Sequence, residues 1–120
     1  MKSLYKILAV QNQNAKKYFQ NYKFYVKEIK KMLKENFKDV KVFVFGSVVR
    51  DDYRPDSDID ILIVSNEIPE SLFEQAKIKV MIKKMFEDAP FEIHITNFVQ
   101  YESWYKRFIK ENYIEINDEN

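Results

Sequence analysis

The sequence predicts an α/β (α+β) protein, with a small mixed β-sheet flanked by helices. Three observations predict it. The chain opens with a lysine-rich stretch whose apolar residues recur at helical spacing. Two β-branched and aromatic runs then flank the only glycine in 120 residues. A second helical pattern and a third short apolar run follow. The element order is therefore helix, strand, strand, helix, strand, helix.

Residues 12–37 read as one long amphipathic helix, with Phe19, Tyr22, Tyr25, Val26, Ile29, Met32 and Leu33 on one face. Its lysines, Lys27, Lys30, Lys31 and Lys34, read as a solvated face. Residues 1–11 are expected to be an N-terminal arm or a short helix beside it. Residues 40–45 read as a strand ending at Gly46, and residues 57–64 as a second strand. Between them Pro55 and several turn formers predict an irregular connection. Ser71 and Glu74 have capping-box spacing, and Ile78, Met81, Ile82, Met85 and Phe86 follow as a helical stripe. Pro90 introduces a strand over residues 91–95. Asn97 and Gln100 suggest another cap, before a last helix with Tyr101, Trp104, Tyr105 and Phe108 on one face. Residues 113–116 read as a short strand, and 117–120 as a frayed tail.

Composition bounds the function. The length fits one domain over 1–120. With no cysteine, disulfides, zinc–thiolate sites and cysteine nucleophiles are excluded. A formal net charge of +1 is not the basic footprint of a dedicated nucleic-acid binder. The N-terminus is too short and polar for a signal peptide, and no apolar run approaches a membrane span. The expectation is a cytoplasmic protein with no membrane partner.

One stretch breaks the pattern. Gly46-Ser47 closes the first strand, ten residues intervene, and Asp58 and Asp60 then stand among isoleucines. A glycine at a strand end lets a ligand approach the backbone, and a following helical turn suits a phosphate. Two carboxylates spaced two apart on a strand leave the same face. They repel and cost desolvation unless a cation lies between them. Oxygen ligands of this kind suit Mg2+, which binds a few carboxylates together with substrate phosphates.

These residues resemble the signature of the minimal nucleotidyltransferases, small members of the DNA polymerase β-like superfamily. The resemblance covers nearly the whole chain in element order, but its specificity rests on residues 46–63. It implies the nucleotidyltransferase fold, with Gly46, Ser47 and Arg50 contacting the triphosphate of ATP and Asp58 and Asp60 binding Mg2+, two ions in all. It further implies a third acid on a later strand. Glu92 is the candidate, since alternation in that strand puts Glu92, His94 and Thr96 on one face. The pattern departs from the family at Val48 and Asp51, where a basic residue and a glycine are usual. Asp51, Asp52 and Asp56 also add negative charge beside a site for a polyanion. His94, the sole histidine, reads as a solvated or outer residue rather than a metal ligand.

The resemblance implies transfer of AMP to a hydroxyl acceptor. So short a chain has little left to select that acceptor. The family implies a small helical HEPN-type protein, a toxin whose tyrosine receives the AMP, with this chain as the antitoxin. A homo- or hetero-oligomer is expected. The rivals are a non-catalytic module that neutralises a partner by occlusion, and a transferase acting on RNA or a small molecule. An RNA contact is left open by the sequence but not indicated.

Overall fold

The computed structural model describes residues 15–109 and 112–117. The expected arm over residues 1–11 and the tail beyond 117 lie outside the described residues, as do the side chains of Trp104 and Phe108. Four strands form one mixed sheet in the order β3-β2-β1-β4. They are β1 (Lys41–Phe45), β2 (Ile59–Val64), β3 (Phe91–Thr96) and β4 (Tyr113–Glu115). β1 is antiparallel to both β2 and β4, whereas β2 and β3 are parallel. A parallel pair needs a crossover, and α3 (Leu72–Met85) supplies it. Ser71 caps that helix by accepting from the Glu74 N–H, as its spacing predicts. Asn97 likewise accepts from the Gln100 N–H, and a short helical segment follows that passes through a π-helical turn at Tyr101–Tyr105.

The long first helix is a correction. It breaks at Asn21, between helical residues 15–20 and α1 (Tyr22–Lys34). Asn21 explains the break. Its backbone N–H and its side-chain amide both donate to the Lys17 carbonyl, and its own carbonyl accepts from Phe24. One residue thus closes one helix and opens the next, the local competition that makes Asn a poor helix-interior residue. A second correction concerns Lys30. It is buried, and its ammonium donates to the Ile116 carbonyl at 2.7 Å, tying α1 to the end of β4.

Both faces of the sheet are covered. On one, Val42, Val44, Ile59, Ile61, Ile63 and Ile93 pack with Val26, Ile29 and Leu33 of α1 and Ile78 and Ile82 of α3. On the other, Phe43, Phe45, Leu62 and Val64 pack with Tyr101, whose ring stacks on Phe43 at 5.1 Å. Burial on both faces is why β2 reads as an almost continuous apolar run. Fully buried Ile61, Leu62 and Ile63 each contribute about 1.5–3 kcal/mol of transfer energy. Among the described residues no helix is long and apolar enough to cross a membrane.

Helical residues 15–20 are pinned by Tyr18. The residue is buried, and its hydroxyl donates to Asp88 at 2.6 Å in a part-buried hydrogen bond. That hydrogen bond holds the Asp88 carboxyl below the usual range, while burial and then Asp88 push the Tyr18 hydroxyl up. Tyr18→Phe is expected to lower Tm by about 3–6 °C at neutral pH, since a partly exposed bond to a carboxylate is worth about 1 kcal/mol net. The sign of the pH dependence follows from the directions of the two shifts. The Asp88 contribution is present above about pH 4 and is lost as pH falls through the lowered value. The Tyr18 contribution is present below about pH 10 and is lost as pH rises. Melting curves of both proteins should therefore converge towards acid; a constant gap down to about pH 2 would contradict this account.

Candidate active site

β1 leads directly into the turn. Gly46 has φ 87° and ψ −155°, a region closed to residues with a side chain. Its carbonyl accepts from the Val49 and Arg50 N–H groups at 3.1 and 3.2 Å, which starts the single-turn helix α2 (Ser47–Arg50). Buried Val48 anchors that turn in the core, leaving Ser47 half-buried. Asp51 ends the turn in the left-handed region at φ 61°. Arg50 is partly exposed and its Nε donates to Asp52 at 3.2 Å. The connection to β2 is held by the stacked rings of Phe19 and Tyr53, 4.5 Å apart.

Asp60 lies on the opposing strand, across from Phe45 in the antiparallel register and beside Glu92 in the parallel one. It interrupts the apolar row of β2 on the face that carries Leu62 and Val64. Its two oxygens look in two directions. A Cβ placed on Gly46 would stand 2.5 Å from Oδ2, so the glycine turn closes directly on the carboxylate. Oδ1 lies 3.5 Å from His94 Nε2, which is in turn 3.8 Å from Glu92 Oε1. One ligand atom from each of Asp60, Glu92 and His94 lies within 4.8 Å of the others.

The structure thus brings together Gly46, Asp60 and Glu92, with Ser47 and Arg50 on the adjoining turn. Asp58 differs from expectation. β2 begins at Ile59, so Asp58 precedes the strand, is exposed, and is not a member of the cluster. The cause is local. Ser57 and Arg54 close a turn through Ser57 N–H to the Arg54 carbonyl, 2.9 Å, and Arg54 N–H to Ser57 Oγ, 2.8 Å. Pairing resumes only where Ile59 N–H donates to the Pro90 carbonyl at 2.7 Å.

His94 is the residue that sequence reasoning set aside. Its place on the face of Glu92 was visible in the alternation of β3. Its approach to Asp60 follows from the parallel register and could not be read locally. Its Nε2 is buried and makes no hydrogen bond among the described residues. A buried polar nitrogen without a partner, aimed at two carboxylates, fits a cation held by the same group. Two carboxylates beside a glycine turn could hold a divalent metal of the kind that phosphoryl-group chemistry uses.

Comparison with known proteins points to one family. The sequence profile of the family described as "Nucleotidyltransferase domain" matches residues 26–117. A protein of Methanocaldococcus jannaschii named "Putative protein adenylyltransferase" is 33% identical over 92 residues, which span 75% of this chain and 85% of that protein. A crystal structure described as a "putative nucleotidyltransferase" superposes with a TM-score of 0.62 at 36% identity, covering 77% of this chain and 97% of the other. A second, from Sulfolobus solfataricus, shares the fold at 23% identity, with a TM-score of 0.61 and 85% of each chain covered.

Proposed function

The chain belongs to the nucleotidyltransferase domain family, and from that premise we propose that it transfers AMP from ATP to a protein hydroxyl. The acceptor in this reading is a tyrosine of a small helical HEPN-type partner, for which this chain is the antitoxin. Protein adenylylation draws its support from the name of the M. jannaschii relative. The tyrosine and the partner rest on the resemblance of Gly46-Ser47 and Asp58-Ile59-Asp60 to the minimal nucleotidyltransferases.

The observation that carries the reading is the position of Asp60, with one oxygen against the Gly46 turn and the other towards Glu92 and His94. Asp60 and Glu92 would hold Mg2+, with Asp58 turning in from the exposed loop. Divalent ions bound there would supply positive charge to the phosphates and lower the pKa of the attacking hydroxyl. Gly46 lets the Asp60 carboxylate close on the turn that would meet the triphosphate, Ser47 offers its hydroxyl, and Arg50 offers the guanidinium nitrogens beyond its contact with Asp52. In the transfer, the acceptor oxygen forms a bond to the α-phosphorus as the bond to pyrophosphate breaks. The hydroxyl proton leaves to solvent.

The test is incubation with ATP labelled at the α-phosphate, Mg2+ and a small helical protein of the HEPN type. Label on that partner, with release of pyrophosphate, is the expected result. An occluding module would bind the partner and leave it unlabelled. That rival is favoured by the Arg50–Asp52 pairing, which occupies part of the expected phosphate-binding charge. Within the transferase reading, Glu92→Gln keeps the side chain's shape and removes its charge. It should cost at least about tenfold in rate, roughly 1.4 kcal/mol of barrier. Full activity would remove Glu92 from the site.

A further inference from the structure

We infer that His94 Nε2 is itself a ligand, so that the position beside Asp60 is a mixed nitrogen–oxygen site holding Mn2+ more tightly than Mg2+. The inference rests on the reading of Asp60 and Glu92 as metal-holding carboxylates, and concerns which ion they hold and through which third group.

Distance favours it. Two atoms bound side by side to one small divalent ion at about 2.1 Å stand about 3.0–3.4 Å apart. His94 Nε2 is already 3.5 Å from Asp60 Oδ1 and 3.8 Å from Glu92 Oε1. A few tenths of an ångström would bring His94 into shared reach with either carboxylate, and the whole set, now within 4.8 Å, closes by a larger swing of the exposed Glu92 side chain.

The ring is also held where it is. His94 sits in the middle of β3, paired with Leu62, and the Phe45 ring lies 5.4 Å away. Phe45 directly precedes Gly46, so the strand that builds the glycine turn also packs against the imidazole. The side chain is 28% exposed, yet Nε2 is buried and makes no hydrogen bond among the described residues. An all-oxygen Mg2+ site would leave that nitrogen unsatisfied while two of its neighbours were taken up. A metal that accepts imidazole satisfies all three groups at once.

The chemistry of the donor set decides the ion. Carboxylates alone suit Mg2+, but imidazole is a ligand for first-row transition metals and a poor one for Mg2+. A position with two carboxylates and one imidazole should therefore hold Mn2+, the first-row ion that shares the liking of Mg2+ for carboxylate, more tightly than Mg2+. It should also be distinguishable from an all-carboxylate position by the presence of nitrogen on the metal.

The experiment uses the full chain, metal-stripped and without a histidine tag, because His94 is its only histidine. With Mn2+ bound, pulsed EPR should show modulation from one imidazole nitrogen. The frequency should shift when the protein carries heavy-nitrogen histidine, and the modulation should vanish in His94→Ala. In competition titrations the ratio of Mn2+ to Mg2+ affinity should fall at least about tenfold in His94→Ala, since losing even a partner that only orients a ligand costs about 10–100-fold in metal affinity. Mn2+ bound at Asp60 without nitrogen modulation would overturn the inference, as would an unchanged affinity ratio. Neither result bears on AMP transfer, so the proposed function would survive it. Nitrogen modulation in a protein that labels no acceptor would sustain His94 as a ligand and remove the transferase reading instead.

Discussion

Gly46→Ala is expected to lower AMP transfer at least about a hundredfold and to destabilise the fold by about 1–3 kcal/mol. The two effects have separate origins. The stability loss comes from backbone conformation, because φ 87° with ψ −155° is a region that only glycine occupies without strain. The catalytic loss comes from a collision. The new methyl would stand 2.5 Å from Asp60 Oδ2, closer than real Cβ contacts allow, so either the end of β1 or the carboxylate must move. Each movement displaces an oxygen on which the proposed metal position depends. A misplacement of about 1 Å can cost a hundredfold when reacting groups must be aligned. Thermal melts and rate measurements on one preparation separate the effects. A variant that is less stable yet transfers AMP at the normal rate would make Gly46 a structural turn only.

The same collision explains what the sequence could and could not disclose. That the lone glycine and Asp60 stand together was legible, because each is anomalous where it stands, but Asp58 stays on the exposed loop. The alternation of β3 placed Glu92, His94 and Thr96 on one face, and that face is the one in the structure. What local pattern could not supply was strand order. Asp60 meets Glu92 and His94 only because β2 and β3 are parallel neighbours in that register. Without it, a single histidine beside a glutamate is an unremarkable surface pair. Boundaries were lost to short-range hydrogen bonds. The Ser57–Arg54 turn delays β2 past Asp58, and Asn21 divides a helix whose apolar spacing runs on without interruption. Lys30 was misread because periodicity registers hydrophobicity. It cannot foresee that the Ile116 carbonyl waits at the end of a buried lysine.

The strongest effect is expected at Asp60. Asp60→Asn should reduce AMP transfer by about three orders of magnitude, some 4 kcal/mol of barrier, while leaving Tm unchanged or slightly raised. The substitution keeps the side chain's size, so the packing beside Gly46 survives. It removes one of two like charges that face each other across the parallel register with Glu92, and opposed like charges destabilise a sheet. An unharmed fold together with lost chemistry is the signature of a group retained for binding a cation rather than for structure. Asp58→Asn provides the scale. By sequence the two aspartates are equivalent, but in the structure Asp58 is an exposed loop residue outside the cluster. It must turn inward to reach a metal that Asp60 already faces. Its substitution should cost at least about tenfold and less than that of Asp60. Mg2+ titrations should rank the variants in the same order, since Asp60 is the carboxylate common to the glycine turn and to the Glu92–His94 pair. An Asp60→Asn protein that keeps transfer within about tenfold of the natural chain would sink the assignment. A reversed ranking would mean that Asp58, drawn in by nucleotide, is the principal ligand. The acidic centre would then be assembled by the substrate rather than by the sheet.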